Sequence, residues 1–431
     1  MHRLVQLAKN LEVTTLFKKD LTQNLARLLY RKETGQVAAL YVSSFAGIAL
    51  GFVVSIVNTR LLGPQWYGDF KFLVNLFTLG ATVTTFGFFS TGSRLLAKCK
   101  NEHIRGELVG GLLTIASLIS LLLIVVLFVF SFFVDDLFHP GLGKIIRLFS
   151  PLLFIFPFKT CLENIMQGSN HIFQLAIFQR ASQALYLIGV LTVSYLIPLS
   201  LTICLTLQLG FAALVILVMS LSLKPALNRM GPILSQIYTE NRIYGFHVYV
   251  GVFANVATAM LMGLLVGYFV NTIAVGFYSL ALTVTMPLSF IPSAFGTTLF
   301  KTFANRTCIP KTAFLAAIVL TACALTAFLL LIDTIVTLVY PPEFSEVIPL
   351  AYVMAIGMVL HGFGDFVNRF LGAHGKGKEL RNGAFVVGAF LIAGSFTLIP
   401  AYGALGAALT KVFAGGMYCA IMCYYYRKTE I

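Results

Sequence analysis

Apolar residues fill long, uninterrupted stretches of this chain, and short polar stretches separate them. A helix that crosses a bilayer needs about 20 mostly apolar residues. Because the stretches are continuous rather than alternating, they predict helices and not the strands of a membrane barrel. Twelve stretches reach this length: residues 37–58, 71–92, 108–133, 146–166, 174–196, 199–222, 247–269, 273–299, 313–334, 347–371, 382–399 and 402–425.

Composition agrees with this pattern. Of 431 residues, 58% are hydrophobic and only 11% are charged. A soluble protein of this length needs more charge to cover its surface. The net charge of +14 does not indicate a nucleic-acid partner, because the basic residues lie between the apolar stretches. We therefore predict an all-α integral membrane protein with no cofactor and no metal.

Basic residues also predict the orientation of the chain. Residues 1–36 carry seven Lys or Arg side chains, and the later basic loops fall on the same side as this segment. Positively charged segments stay in the cytoplasm, so both termini are expected there. Residues 14–32 place apolar side chains on one helical face between cations, which favours an amphipathic helix on the inner leaflet. A solvated leader is the alternative.

Three short segments recur in the same order along the chain. The pairs are LLGPQWYGDF with FVNTIAVGFY, which aligns Gly68 with Gly276, then IMQGSN with RFLGAH, and YLIPLS with TLIPAY. They predict a parallel repeat of two six-helix halves around a central cavity. The expected domains are a cytoplasmic amphipathic leader (1–36), a first bundle (37–222), a cytoplasmic connector (223–246), a second bundle (247–425) and a cytoplasmic tail (426–431).

Ionisable side chains inside or at the ends of apolar stretches are candidate functional groups, because each is costly in lipid unless it is paired or faces water. Cations outnumber acids among them, which predicts a cavity that attracts anions. The candidate substrate-binding cations are Arg60, Lys159, Arg180, Arg369 and Lys411, and the candidate coupling or pairing groups are Glu163, Asp333, His361 and Asp365.

Local pairing separates these candidates into two groups. Lys159 with Glu163, and Asp365 with Arg369, are four residues apart and predict pairs on one helix face. Three cations have no acid at that spacing: Arg60, Arg180 and Lys411. For Lys411 we therefore expect either a water-filled cavity or a partner on another helix, such as Asp365. His361 is interpreted either as a proton-coupling group or as a hydrogen-bonded core histidine.

The first interhelical stretch, NTRLLGPQWYGDF, resembles the R-L-L-G-P-x-x-Y/F-G signature of polysaccharide-precursor flippases. These O-antigen (Wzx-type) proteins form the polysaccharide transporter family of the multidrug/oligosaccharidyl-lipid/polysaccharide exporter superfamily. The segments QGSN and LGAH resemble the Gly-bearing turns of the same family. The resemblance covers about residues 37–425, and YGDF departs from the commoner YG-L/I-Y.

The resemblance implies that the protein transports a substrate and does not catalyse a chemical reaction. Such proteins move undecaprenyl-diphosphate-linked oligosaccharides from the inner to the outer leaflet of the bacterial plasma membrane by alternating access, for lipopolysaccharide and other polysaccharide biosynthesis. Polysaccharide polymerase and chain-length proteins are the partners it implies, besides membrane lipids. Arg60 would stand where the diphosphate leaves the cavity. The alternatives are an antiporter of the multidrug-and-toxin-extrusion type and, in the enzyme class, a membrane polysaccharide polymerase.

Overall fold

The computed structural model describes residues 32–428, with side chains from Val42 onward except at residues 252, 254, 255, 257, 258 and 301. Nearly all of the predicted amphipathic leader therefore lies outside the described residues. The α-helices are α1 Lys32–Thr84, α2 Phe88–Lys98, α3 Glu102–Leu137, α4 Leu142–Phe149, α5 Ile155–Gly168, α6 Ile172–Ser194, α7 Leu201–Ser222, α8 Met230–Glu240, α9 Phe246–Phe269, α10 Thr272–Thr298, α11 Phe300–Phe303, α12 Lys311–Val339, α13 Val347–Ala373 and α14 Gly377–Lys428. Shorter turns are a 3₁₀ segment at Ser150–Phe154, another at Pro342–Phe344, and a π-turn at Asn241–Gly245.

The fold is all-helical over the described residues, and nine of its helices are long and apolar enough to cross a membrane. Helix α3 illustrates the pattern, since its 36 residues have a mean hydropathy of 3.1 over the most apolar window. Large apolar side chains such as Leu118 and Phe132 remain exposed on this helix. In a bilayer such a face is covered by lipid, so the exposure indicates a multi-pass membrane protein.

Helix α1 is a hairpin with two arms rather than one straight rod. Gly63 has a φ of 67°, in the region that favours glycine, and Pro64 opens the second arm. Tyr186 of α6 touches both arms, because its hydroxyl donates to Asn58 Oδ1 over 2.8 Å and its ring stacks on Phe70 at 6.4 Å. The Gly-Pro pair thus ends one helix and begins the next, as the sequence predicts.

Helix α14 reverses in the same way at Gly403, which has a φ of 59°. A Cβ on Gly406 would lie 2.8 Å from the backbone nitrogen of Ile399, and a Cβ on Gly394 would lie 2.5 Å from Thr410 Cγ2. These contacts show two arms packed side by side in opposite directions. Small residues permit this close approach of helix backbones.

The predicted second stretch, residues 71–92, is wrong as a single helix. The chain breaks between α1 and α2, where Phe86 and Gly87 have φ values of 47° and 85°. A Cβ on Gly87 would lie 2.5 Å from the carbonyl carbon of Gly245. Asn241 is buried beside this contact and donates from Nδ2 to the carbonyl oxygen of Phe86 over 3.1 Å. The break therefore arises from packing against the π-turn that precedes α9, which no local pattern in the sequence reveals.

A proline explains why α4 and α5 are not one continuous helix. Pro151 lies at the start of the 3₁₀ segment that separates α4 from α5, as expected where a backbone donor is missing. Pro287 and Pro292 lie inside α10, whose helical assignment continues through both of them.

Candidate functional site

Two clusters of ionisable side chains lie among the helices. The first is formed where α13 meets the second arm of α14. A Cβ on Gly357 would lie 2.9 Å from the backbone nitrogen of Val412, and one on Gly415 would lie 3.4 Å from the backbone nitrogen of His361. Glycines on both helices therefore bring the backbones together, and the polar side chains nearby face each other across a short gap.

Within this cluster, Tyr418 connects the two helices. Its hydroxyl donates to Asp365 Oδ1 over 3.1 Å, and its ring centroid lies 4.9 Å from that of His361. Asp365 and Lys411 also interact electrostatically, although they lie on different helices. Asp365 is therefore an acid on another helix that acts on Lys411, although the two side chains do not approach within 4.0 Å.

The second cluster joins α1, α5 and α6. Arg180 is half-buried, its guanidinium packs against Gly47, and its Nε donates to the carbonyl oxygen of Ser43 over 2.8 Å. Glu163 interacts electrostatically with both Lys159 and Arg180. Arg180, which has no acid nearby on its own helix, therefore has one on α5.

The two predicted same-helix pairs do not form close contacts, although Lys159 interacts electrostatically with Glu163. Within the described residues, neither Lys159 with Glu163 nor Asp365 with Arg369 approaches within 4.0 Å. Asp365 instead accepts from Tyr418, and the side chains of Lys159 and Arg369 are exposed. A carbon of the Arg369 side chain packs against Gly296 of α10.

Arg60 and Asp333 lie apart from both clusters. The Nε of Arg60 donates to the carbonyl oxygen of Val339 over 3.0 Å, and Nη2 donates to that of Leu338 over 3.3 Å. These carbonyls belong to the last turn of α12, where cations stabilise a helix. Asp333 is exposed on the same helix. Arg60 therefore joins α1 to α12, a role that its sequence neighbours do not reveal.

Sequence reasoning also missed buried polar groups at the contact between α1 and α10. Gln65 donates from Nε2 to Thr272 Oγ1 over 3.1 Å and to Asp69 Oδ1 over 3.2 Å, and Asp69 is buried. Beside them, a Cβ on Gly276 would lie 3.1 Å from the Cα of Gly68. The signal was present, because Gln65, Gly68 and Asp69 belong to the stretch that carries the family resemblance.

Arg60→Ala should lower the free energy of unfolding by about 1 kcal/mol, the scale of a cation at a helix C-terminus. Thermal unfolding of the purified protein in detergent would measure this, with Arg306→Ala in an exposed loop as the matched control. A normal melting temperature for Arg60→Ala would contradict this role.

A family model described as polysaccharide biosynthesis protein matches residues 35–305. The chain belongs to this family. No curated protein matches the sequence significantly.

Solved structures match over nearly the whole chain. Lipid II flippase MurJ in an inward closed conformation gives a TM-score of 0.70 at 15% identity, covering 90% of this chain and 87% of that one. An inward-facing MATE multidrug resistance transporter of the MOP superfamily gives 0.66 at 14%, covering 90% and 94%. A MOP superfamily transporter from Pyrococcus furiosus, titled for the reverse polarity of its binding pocket, gives 0.55 at 14%, covering 91% and 93%. At such identities the likeness establishes the fold, and function has to be argued from the site.

Proposed function

We propose that the protein is a flippase that moves a lipid-diphosphate-linked oligosaccharide from the inner to the outer leaflet of the bacterial plasma membrane. The observation that carries this proposal is the conjunction of a polysaccharide biosynthesis family with a fold shared with a lipid II flippase. A diphosphate is anionic and needs a wetted, cationic path, whereas a prenyl tail can remain in lipid. Undecaprenyl diphosphate is the carrier that fits this chemistry.

We assign the chain twelve spans in two halves, with both termini cytoplasmic. The hairpins α1 and α14 each supply two spans, and α9 supplies the seventh. The contact between Gly68 and Gly276 supports a parallel repeat, because equivalent positions that lie near a twofold axis must meet at one face. The halves are residues 37–222 and 247–425, joined by the connector 223–246.

The diphosphate would travel between the two clusters. Lys159 and Arg180, with Glu163, form the wall contributed by the first half, while Lys411, with His361 and Asp365, forms the wall contributed by the second. Each wall places one or two cations beside a single carboxylate, so an arriving phosphate can replace that carboxylate as the partner of a cation. Arg369 would meet the substrate nearer the cytoplasm, and Asp333 is left without a role in this path.

Alternating access requires that the contacts between the halves break in turn. In this structure α1 touches α10 at Gly68, and the hydroxyl of Ser55 lies 3.0 Å from that of Tyr340, which follows α12. At the other end, Asn241 holds the break after α1. We propose that the first set of contacts opens when the substrate leaves and the second when it enters.

Complementation tests the proposed activity directly. Expression in a strain that lacks its own polysaccharide-precursor flippase should restore surface glycan, and lipid-linked precursor should no longer accumulate in the inner leaflet. The matched control is a MATE transporter expressed at the same level, which should restore neither. Drug resistance gained without surface glycan would favour the multidrug exporter instead.

A further inference from the structure

The connector helix α8 packs across the beginning of α3. Ile233 and Ile237 are buried there, and a Cβ on Gly111 would lie 2.7 Å from Ile233 Cγ2. Helix α3 has 36 residues and is therefore about 54 Å long, which exceeds the roughly 30 Å hydrocarbon core. Because α8 crosses α3 within its first turns, it lies at the surface of the bilayer rather than in its centre.

Two neighbouring cavities open on the exposed side of α8. One of about 510 Å³ is lined by Leu95, Pro232, Ser235, Gln236, Thr239 and Glu240. The other, of about 290 Å³, is lined by Tyr238, Thr239, Arg242 and Ile243. Since Thr239 lines both, they form one groove that offers hydroxyl, amide and guanidinium donors beside apolar side chains.

When the ion pairs are set aside, the segments around the groove carry a net positive charge. Glu240, the acid that lines the groove, pairs with Arg94 at 3.1 Å. Arg242 lines the groove, and neighbouring segments of the chain carry four further bases: Lys98, Lys100, Lys224 and Arg229. All five are exposed and have no acid within 4.0 Å among the described residues. This surplus favours an anionic ligand.

Apolar exposure distinguishes a lipid from a water-soluble anion. Leu227, Tyr238, Ile243 and Phe246 are all exposed beside these bases. A nucleic acid or a free nucleotide would leave these side chains in water, whereas acyl chains would cover them. Arg242 lies next to Ile243 in the chain, so charge and apolar surface meet at one point.

We infer that this groove, lined by residues of α2, α8 and the π-turn, is a binding site for an anionic phospholipid of the adjoining leaflet. Arg242 holds the phosphate, and the acyl chains lie along Tyr238 and Ile243. Such a lipid would anchor the connector while the two halves move. The inference goes beyond transport and requires only that α8 lies at the bilayer surface.

Native mass spectrometry of the full-length protein, released from membranes that contain equal amounts of phosphatidylglycerol and phosphatidylcholine, tests this site. The wild type should retain phosphatidylglycerol preferentially. Arg242→Gln should weaken its retention about fivefold, the factor expected for one cation near a lipid surface, and Arg242→Glu should weaken it further. Arg242→Lys should retain most of the binding.

Lys144→Glu is the matched control, because Lys144 is exposed on α4, away from the groove. It should leave phosphatidylglycerol retention unchanged. Unchanged retention in Arg242→Glu, or an equal loss in Lys144→Glu, would overturn the site. The site would also be overturned if Arg242→Glu lost bound lipid-linked oligosaccharide but kept phosphatidylglycerol, because the groove would then belong to the transported substrate. Retention of phosphatidylglycerol does not depend on transport. The lipid site and the proposed flippase function can therefore be refuted independently.

Discussion

Lys411→Glu should abolish surface glycan, whereas Lys411→Arg should retain part of it. Lys411 lies on the second arm of α14 and interacts with Asp365 across the helix interface. A glutamate there would face Asp365 and repel an incoming diphosphate, and like charges close together cost several kcal/mol. Arginine keeps the charge but changes the shape of the donor. Surface glycan in the complemented strain is the measurement.

Two controls separate substrate binding from stability. Lys378→Glu makes the same change at an exposed position outside both clusters and should export normally. The double variant Lys411→Ala with Asp365→Asn removes both charges. If Lys411 only neutralises Asp365, the double variant should recover protein level and export together. If Lys411 binds the diphosphate, protein level should recover and export should not. Normal export by a well-expressed Lys411→Glu variant would refute the anion path.

Gly68→Leu should destabilise the protein by about 3 kcal/mol, at the upper end of the cost of overpacking a core. A Cβ at this position would lie 2.6 Å from the carbonyl carbon of Thr272 and 3.0 Å from the backbone nitrogen of Ile273. The obstacle is backbone, which cannot rotate away as a side chain can. The arm of α1 must therefore move off α10. Thermal unfolding in detergent would measure the loss.

Gly210→Leu is the matched control for this substitution. Nothing lies within 4 Å of a Cβ on Gly210, which is exposed on α7. Leucine there should be neutral or stabilise the protein by up to about 1 kcal/mol, because glycine is the poorer helix former. Equal melting temperatures for the two variants would mean that α1 and α10 do not touch at Gly68.

Hydropathy and turn chemistry predicted much of the fold from the sequence. Continuous apolar stretches identified most of the long helices, and the Gly63–Pro64 pair identified the reversal in α1, because both signals are local. The repeat aligned Gly68 with Gly276, and these residues lie in contact. By contrast, the break at Gly87 depends on Gly245, which is far away in the chain and leaves no local pattern.

The candidate site was predicted as a set of residues and not as an arrangement. Spacing along one helix suggested Arg369 as the partner of Asp365, but Tyr418 on another helix takes that place. Arg60 was expected beside the substrate, whereas its donors reach the end of α12. In each case the sequence supplies the charged group, and the helix packed against it decides which partner it meets.

The hairpin of α14 bears on how the chain enters the membrane during synthesis. Insertion of an isolated segment with a central lysine is opposed by about 2.5–3.5 kcal/mol. The arm that contains Lys411 packs tightly on the preceding arm at Gly406 and Gly394, so the two can leave the translocation channel as one unit. Asp365 on α13 has been synthesised by then and can receive the ammonium. The last span is thus expected to depend for its insertion on helices already in place, and a chain that lacks α13 should leave this arm outside the bilayer.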